Sequence, residues 1–237
     1  MLYDDSQPCF GIANYLLDRG MTVSIRFTTA DQSEQYSDSL PAHWRERCVP
    51  IIGEAETLEQ AELQVASAAA AMDGLDVYIH GSEWADESEL LDNDLVPFAQ
   101  HLNQRLHELF MFSRASASVM ARKRQGQIIV PMLSDALHYA GFPSSPVYNQ
   151  GALSFVKSLA KELAPFRVAV NAFTFGYCQL QSTAASSRPS RGRFDIYALK
   201  PPIPDVEEMT KGLGMLLDYG SGMSGQNINW GYGLPSV

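Results

Sequence analysis

Apolar and polar positions along this chain follow two rhythms. "MTVSIRF" at 21–27 is β-branched and alternates with period two, which predicts a strand. Before it, "GIANYLLDRG" has a short helical pattern closed by Gly20. "TLEQAELQVASAAAAMDG" at 57–74 is Ala-rich with one apolar face and predicts a helix ending near Gly74. "LDVYIHG" at 75–81 is a short apolar run after a helix, as expected of a buried parallel strand. A long helix follows at 106–124, and Gly126 introduces a second buried strand, "QIIVPML". A helix from about Val147 to Ala164 leads into "RVAVNAFTF", again a strand. "DVEEMTKGLGMLLDY" at 205–219 predicts one last amphipathic helix, and "GQNINWGYG" a final strand.

Strands that alternate with helices of this length imply βαβ units. The predicted fold is α/β: a doubly wound, mostly parallel sheet in a three-layer αβα, Rossmann-like arrangement. No internal repeat or linker divides residues 1–237, so one domain is expected. It has a shortened first strand at Met1–Tyr3 and a long surface loop at about 181–204.

Composition narrows the function classes. Hydrophobic residues make up 46% of the 237 and charged residues 19%, enough for an ordinary core and too apolar for bulk disorder. The net charge of −10 disfavours nucleic acid and anionic membranes as partners. Cys9, Cys48 and Cys178 are too few and too dispersed for a disulfide framework or a CxxC metal site. The five histidines show no metal-ligand spacing. No signal peptide or membrane span is expected, and a cytoplasmic location is the prior.

Several segments together resemble the short-chain dehydrogenase/reductase family over nearly the whole chain. "LDVYIHGSEW" stands where the family has a strand ending in Asn-Asn-Ala-Gly. "GQIIVPMLS" is similar to the strand that ends at the catalytic serine. "KSLAKELAPFRVAVNAFTFG" resembles the family's catalytic helix and Val-Asn strand, and "SGQNINWGYG" its closing strand. "IHGSEW" and "SIRF" lean toward the pteridine-reductase branch.

The resemblance implies a nicotinamide cofactor, NADP(H) if any, and four chemical parts, each of which is substituted here. Glycines normally let the first loop approach the pyrophosphate at a helix N-terminus. Gapless matching back from Gly20 puts Tyr3, Gln7 and Cys9 at those glycines, and another register retains only Gly11. The family's tyrosine donates a proton, and its lysine lowers the tyrosine pKa and holds the ribose. Counting back from Val170-Asn171 places Ser145 at the tyrosine and Asn149 at the lysine. Tyr148 lies close by, but anchoring there makes the lysine position Ala152. The orienting serine matches Met132 or Leu133, with Ser134 just beyond, and the asparagine of the preceding helix matches Arg105. An arginine there is expected to pair with a surface carboxylate instead.

Other residues merit a chemical reading. His80 ends a central strand, where open α/β sheets place their ligand crevice, and Glu83 is placed to orient it. Its plainer role is a satisfied histidine at a strand end. Trp84 and Tyr139 are candidates to line that crevice. Cys178 reads as a buried thiol, and the acidic run 86–94 as a solvated face.

Loss of all four parts implies loss of hydride transfer, since no side chain replaces the hydride donor. The expected function is therefore noncatalytic, as a subunit of a homo-oligomer or of a hetero-oligomer with an active dehydrogenase paralogue. Helices at about 106–122 and 148–163 would form the contact. The alternative is an NADPH-dependent carbonyl or pteridine reductase, or a non-redox enzyme, with a site rebuilt from Tyr148, Ser134 and His80.

Overall fold

Eight residues of "GQIIVPML" pair in parallel with eight of "VAVNAFTF", from Gly126 opposite Val168 to Leu133 opposite Phe175. These two strands form the centre of the molecule. A computed structural model describes residues 7–81, 85–87, 90, 95–135, 144–176, 178 and 204–231. In chain order the elements are α1 (Gln7–Asp18), β1 (Val23–Phe27), α2 (Ala30–Ser39), α3 (Ala42–Arg45) and β2 (Cys48–Ile52). Next come α4 (Leu58–Ala71), β3 (Val77–Ile79), α5 (Leu95–Lys123), β4 (Gly126–Leu133), α6 (Pro146–Leu163) and β5 (Val168–Phe175). The order closes with α7 (Val206–Thr210), α8 (Leu213–Tyr219) and β6 (Asn227–Trp230).

All described strand pairs are parallel: β1 with β2, and β3, β4, β5 and β6 in that order. Parallel strands need crossover helices, and these helices cover both faces. Alternation along each strand assigns the faces. Tyr78, Ile128, Val130, Met132, Val170 and Ala172 pack with α4, α5 and α6. Ile25, Phe27, Ile79, Ile129, Phe173 and Phe175 pack with α1, α7 and α8. The result is the expected three-layer, doubly wound α/β arrangement.

Local chemistry sets the helix ends. Thr29 and Thr57 each accept from the backbone N–H three residues on, while Gln32 and Gln60 bond back to the cap, forming two capping boxes. Gly20 ends α1 with φ +82°, a conformation that side chains with a Cβ resist.

Three features differ from the sequence expectation. The helix expected to start at 106 begins at Leu95, because Pro97 falls in its first turn, where no N–H partner is lost. The last helix, expected as one piece over 205–219, is two. Asp205 caps α7 by accepting from the Glu208 N–H at 2.6 Å, and Gly212 separates α7 from α8. The Trp230 indole of β6 lies directly against Gly212. Finally, α2 and β2 have no counterpart in the sequence expectation: α2 is mostly polar and buries only Ser33 and Tyr36, and β2 is an apolar run holding Pro50 in which Pro50 and Ile52 are exposed and the other residues half-buried. Residues 1–3 and 181–203, expected as a short strand and a loop, lie outside the described residues.

Gly212 yields a direct test. A Cβ there would meet the Trp230 ring, and an indole held by a strand has nowhere easy to go. Gly212→Ala should destabilise the fold by about 1–3 kcal/mol. Chemical denaturation followed by tryptophan fluorescence would measure this, and an unchanged midpoint would contradict the packing described.

Candidate functional site

In a parallel sheet the strands' carboxyl ends share one edge, where substrate and cofactor sites assemble. His80 follows β3 there, and its N–H donates to the Ile129 carbonyl at 2.9 Å. Ser134 follows β4, is buried, and its N–H donates to the Phe175 carbonyl at 2.8 Å, extending the ladder by one bond. The N-terminus of α6 brings Ser145, Tyr148 and Asn149 to the same edge. Arg105 reaches it from α5.

The residues that the sequence matching sets against the family's catalytic positions therefore converge. Met132, Ser145, Asn149 and Arg105 line one cavity together with Tyr148 and Ala85, and that cavity has a volume of only about 10 Å³. It is hardly large enough for one water. The Arg105 guanidinium lies 3.7 Å from the centre of the Tyr148 ring and donates to Ser145 Oγ at 3.4 Å. The expectation that Arg105 pairs at the surface is corrected. It is buried, with its planar, weakly hydrated guanidinium over an aromatic face.

Asn149, at the lysine position, donates from Nδ2 to the Leu133 carbonyl at 2.9 Å and to Asp135 Oδ1 at 2.8 Å. It ties α6 to the end of β4 and brings no charge. Asp135 also accepts from Ser144 Oγ at 3.4 Å. Burial pushes the Asp135 carboxyl above its ordinary range, partly offset by hydrogen bonds from Asn149, the Ser145 backbone and Ser144.

The N-terminus of α6 carries a second carboxylate. Glu87 accepts from the Val147 and Tyr148 N–H groups, each at 2.9 Å. The run 86–94 was expected to be solvated throughout, and for Glu87 this is corrected. Its carboxylate is buried because unpaired helix N–H groups and the positive helix end hold it there. No pattern within "DESELLDND" distinguishes this residue. Ser145 occupies the cap position of α6, but its hydroxyl donates to the Ala85 carbonyl instead.

His80 is fully enclosed, and its Nδ1 is 2.8 Å from the Tyr78 hydroxyl. Burial, then the charges of Arg105 and Arg26, pull its pKa down to about 3. The ring is neutral at ordinary pH. Glu83, its expected partner, lies outside the described residues, as do Trp84 and Tyr139. The Tyr78 contact was legible in principle, since positions i and i+2 of a strand share a face.

Around the nucleotide end the described residues do not fit a phosphate cradle. Gln7 and Cys9, at glycine positions of the family, lie in helix α1 rather than in a loop. Phe10 stacks on Tyr36 with ring centres 4.5 Å apart, and the Tyr36 hydroxyl donates to Asn14 Oδ1 at 2.9 Å. Gly11, the candidate cofactor residue, sits within α1. A Cβ there would meet Val206 Cγ1 at 3.1 Å, which accounts for its glycine by helix packing. Cys178 is buried, and its thiol is pushed up to about 12, chiefly by burial. Among the described residues no three acidic, histidine or cysteine side chains could hold a metal ion together.

His80 makes a pH prediction. A histidine with a folded pKa near 3 and an unfolded value of 6.5 is protonated first in the unfolded chain. Stability therefore falls as pH drops through that window, by up to about 1.4 kcal/mol per pH unit for one proton. His80→Gln should flatten the decline in urea midpoint between pH 6.5 and 4.5. An unchanged slope would contradict a neutral, buried His80.

A family model described as short chain dehydrogenase matches residues 10–191. The 3-oxoacyl-[acyl-carrier-protein] reductase FabG of Aquifex aeolicus is 26% identical over 192 residues, covering 77% of this chain and 74% of that protein. The FabG of Salmonella typhimurium is 24% identical, covering 95% of this chain and 92% of that protein. Among solved structures, TT0495 protein from Thermus thermophilus has a TM-score of 0.71 at 22% identity, covering 94% of this chain and 91% of its own. A Bacillus thuringiensis protein provisionally assigned as a 3-oxoacyl-reductase has a TM-score of 0.74 at 17% identity, covering 96% and 94%. At these identities the two structures speak for the doubly wound fold alone. The family model spans most of the sequence and includes the helix and strand that carry Ser145, Asn149 and Val170-Asn171; the chain belongs to the short chain dehydrogenase family.

Proposed function

We propose that this protein is a noncatalytic member of its family that acts as a subunit of an oligomer. One observation carries the reading: the cavity where the family's catalytic positions meet is about 10 Å³ and is walled by the Arg105–Tyr148 stack. A carbonyl substrate and a nicotinamide ring need far more room, since one water already takes a comparable volume. The chemistry agrees with the volume. Ser145 has no acidity comparable to a phenol, and Asn149 has no charge with which to lower a neighbour's pKa.

Association has support on the helix pair expected to carry it. Phe110 of α5 is 45% exposed and meets Phe155 of α6 edge-on, with ring centres 6.2 Å apart. Between these helices runs an open groove of about 430 Å³ lined by Phe110, Phe155, Leu159 and Leu163, with Arg114 from α5 and Glu162 from α6. A face with one cation and one anion beside an apolar centre is self-complementary under a two-fold axis. A related chain that keeps this pattern would fit equally, so the active paralogue remains a partner within the proposal.

The alternative is an NADPH-dependent reductase. It is favoured by the relatives called 3-oxoacyl-[acyl-carrier-protein] reductase, and the pteridine-reductase lean of "IHGSEW" belongs with it. Two measurements separate the readings. Titration of the pure protein with NADPH and NADP should leave the melting temperature unchanged. Tight binding would instead add about 2.7 kcal/mol at a hundredfold excess over Kd and would sink the noncatalytic reading. Light scattering should show an oligomer that Phe110→Glu with Phe155→Glu converts to monomer. Unaltered mass in the folded double variant would remove this helix face from the account.

A further inference from the structure

Residues 85–87 and the first turn of α6 hold each other by an exchange of partners. Ser145, the cap residue of an 18-residue helix, does not cap it. Its hydroxyl donates to the Ala85 carbonyl. Glu87 supplies the missing cap, accepting from Val147 and Tyr148, and its own N–H donates to the Ser144 carbonyl at 2.8 Å. Four hydrogen bonds thus join a three-residue segment to the helix end. None of the three residues belongs to either apolar core cluster. Ala85 lines the small cavity together with Asn149 and the Arg105–Tyr148 stack.

From these contacts we infer that residues 85–87 are a releasable latch over the edge of the sheet. A segment fixed by polar bonds rather than apolar burial opens more readily than the core around it. Its anchor is a carboxylate on helix N–H groups, an interaction that another carboxylate can replace. In the closed state Ala85 and Arg105 wall the cavity together, and His80, close enough to feel the Arg105 charge, is enclosed. In the open state Ala85 withdraws, the first turn of α6 loses its cap, and solvent reaches Tyr148 and His80.

The test uses the full chain and reads accessibility rather than activity. Diethyl pyrocarbonate modifies neutral imidazoles, and peptide mass spectrometry distinguishes His80 from the exposed His43, which serves as the internal control. Glu87→Ala should raise His80 modification about tenfold relative to His43, the scale expected from losing a charged helix cap. Acetate should return the rate toward that of the wild type and raise the melting temperature of Glu87→Ala alone. Ser145→Ala, which keeps Glu87 on the helix, should give a smaller increase and serves if Glu87→Ala does not fold. A folded Glu87→Ala with His80 as protected as in the wild type, or Ser145→Ala unchanged where only that variant folds, would overturn the latch. An increase that acetate does not reverse would overturn the role of the carboxylate.

Discussion

A guanidinium on an aromatic face, inside the molecule, sets the character of the whole carboxyl edge of the sheet. Arg105 is buried, and a buried cation must find compensation or it destabilises the fold. The Tyr148 ring at 3.7 Å and the Ser145 hydroxyl supply part of it. Separating α5 from the first turn of α6 would expose a charge and a ring together. The cavity that remains is about 10 Å³. On the proposed reading, the family fold is kept while side chains take up space that the family's chemistry would need.

The N-terminus of α6 is the second organising element. Its N–H groups attract negative charge, and here two carboxylates from other parts of the chain provide it. Glu87 binds Val147 and Tyr148, while Asp135 is bonded by Asn149 and Ser144. The helix is therefore tied to the segment after β3 and to the end of β4. Asn149 completes the tie by donating to the Leu133 carbonyl. Ser145 and Asn149 thus fasten this end of the helix to its neighbours.

The fold was largely legible because apolar rhythm is local. β4 and β5 are mostly apolar and almost wholly buried, and α4 and α6 each show an apolar stripe. The elements without an expectation are α2, α3 and β2. α2 is mostly polar, and β2 contains Pro50 and is only half-buried. Thr29 and Gln32 would have marked the start of α2, since a capping box needs no hydrophobic pattern. The convergence of Met132, Ser145, Asn149 and Arg105 followed from family register, but their contacts did not. Arg105 and Ser145 are forty residues apart, and nothing in either neighbourhood says that a cation stacks on Tyr148. Glu87 was hidden for the same reason: its neighbours are acidic too, and only the position of α6 selects it. Gly212, between α7 and α8, lies against the Trp230 ring, a contact that the local pattern does not reveal.

The central claim is that side chains fill the space where the family's substrate and nicotinamide would meet. A crystal structure of the protein grown with millimolar NADP tests it most directly. The account predicts the Arg105 guanidinium on the Tyr148 ring and no ordered dinucleotide at the carboxyl ends of the strands. An ordered dinucleotide at that edge, with Arg105 displaced and its nicotinamide facing Tyr148, would contradict it.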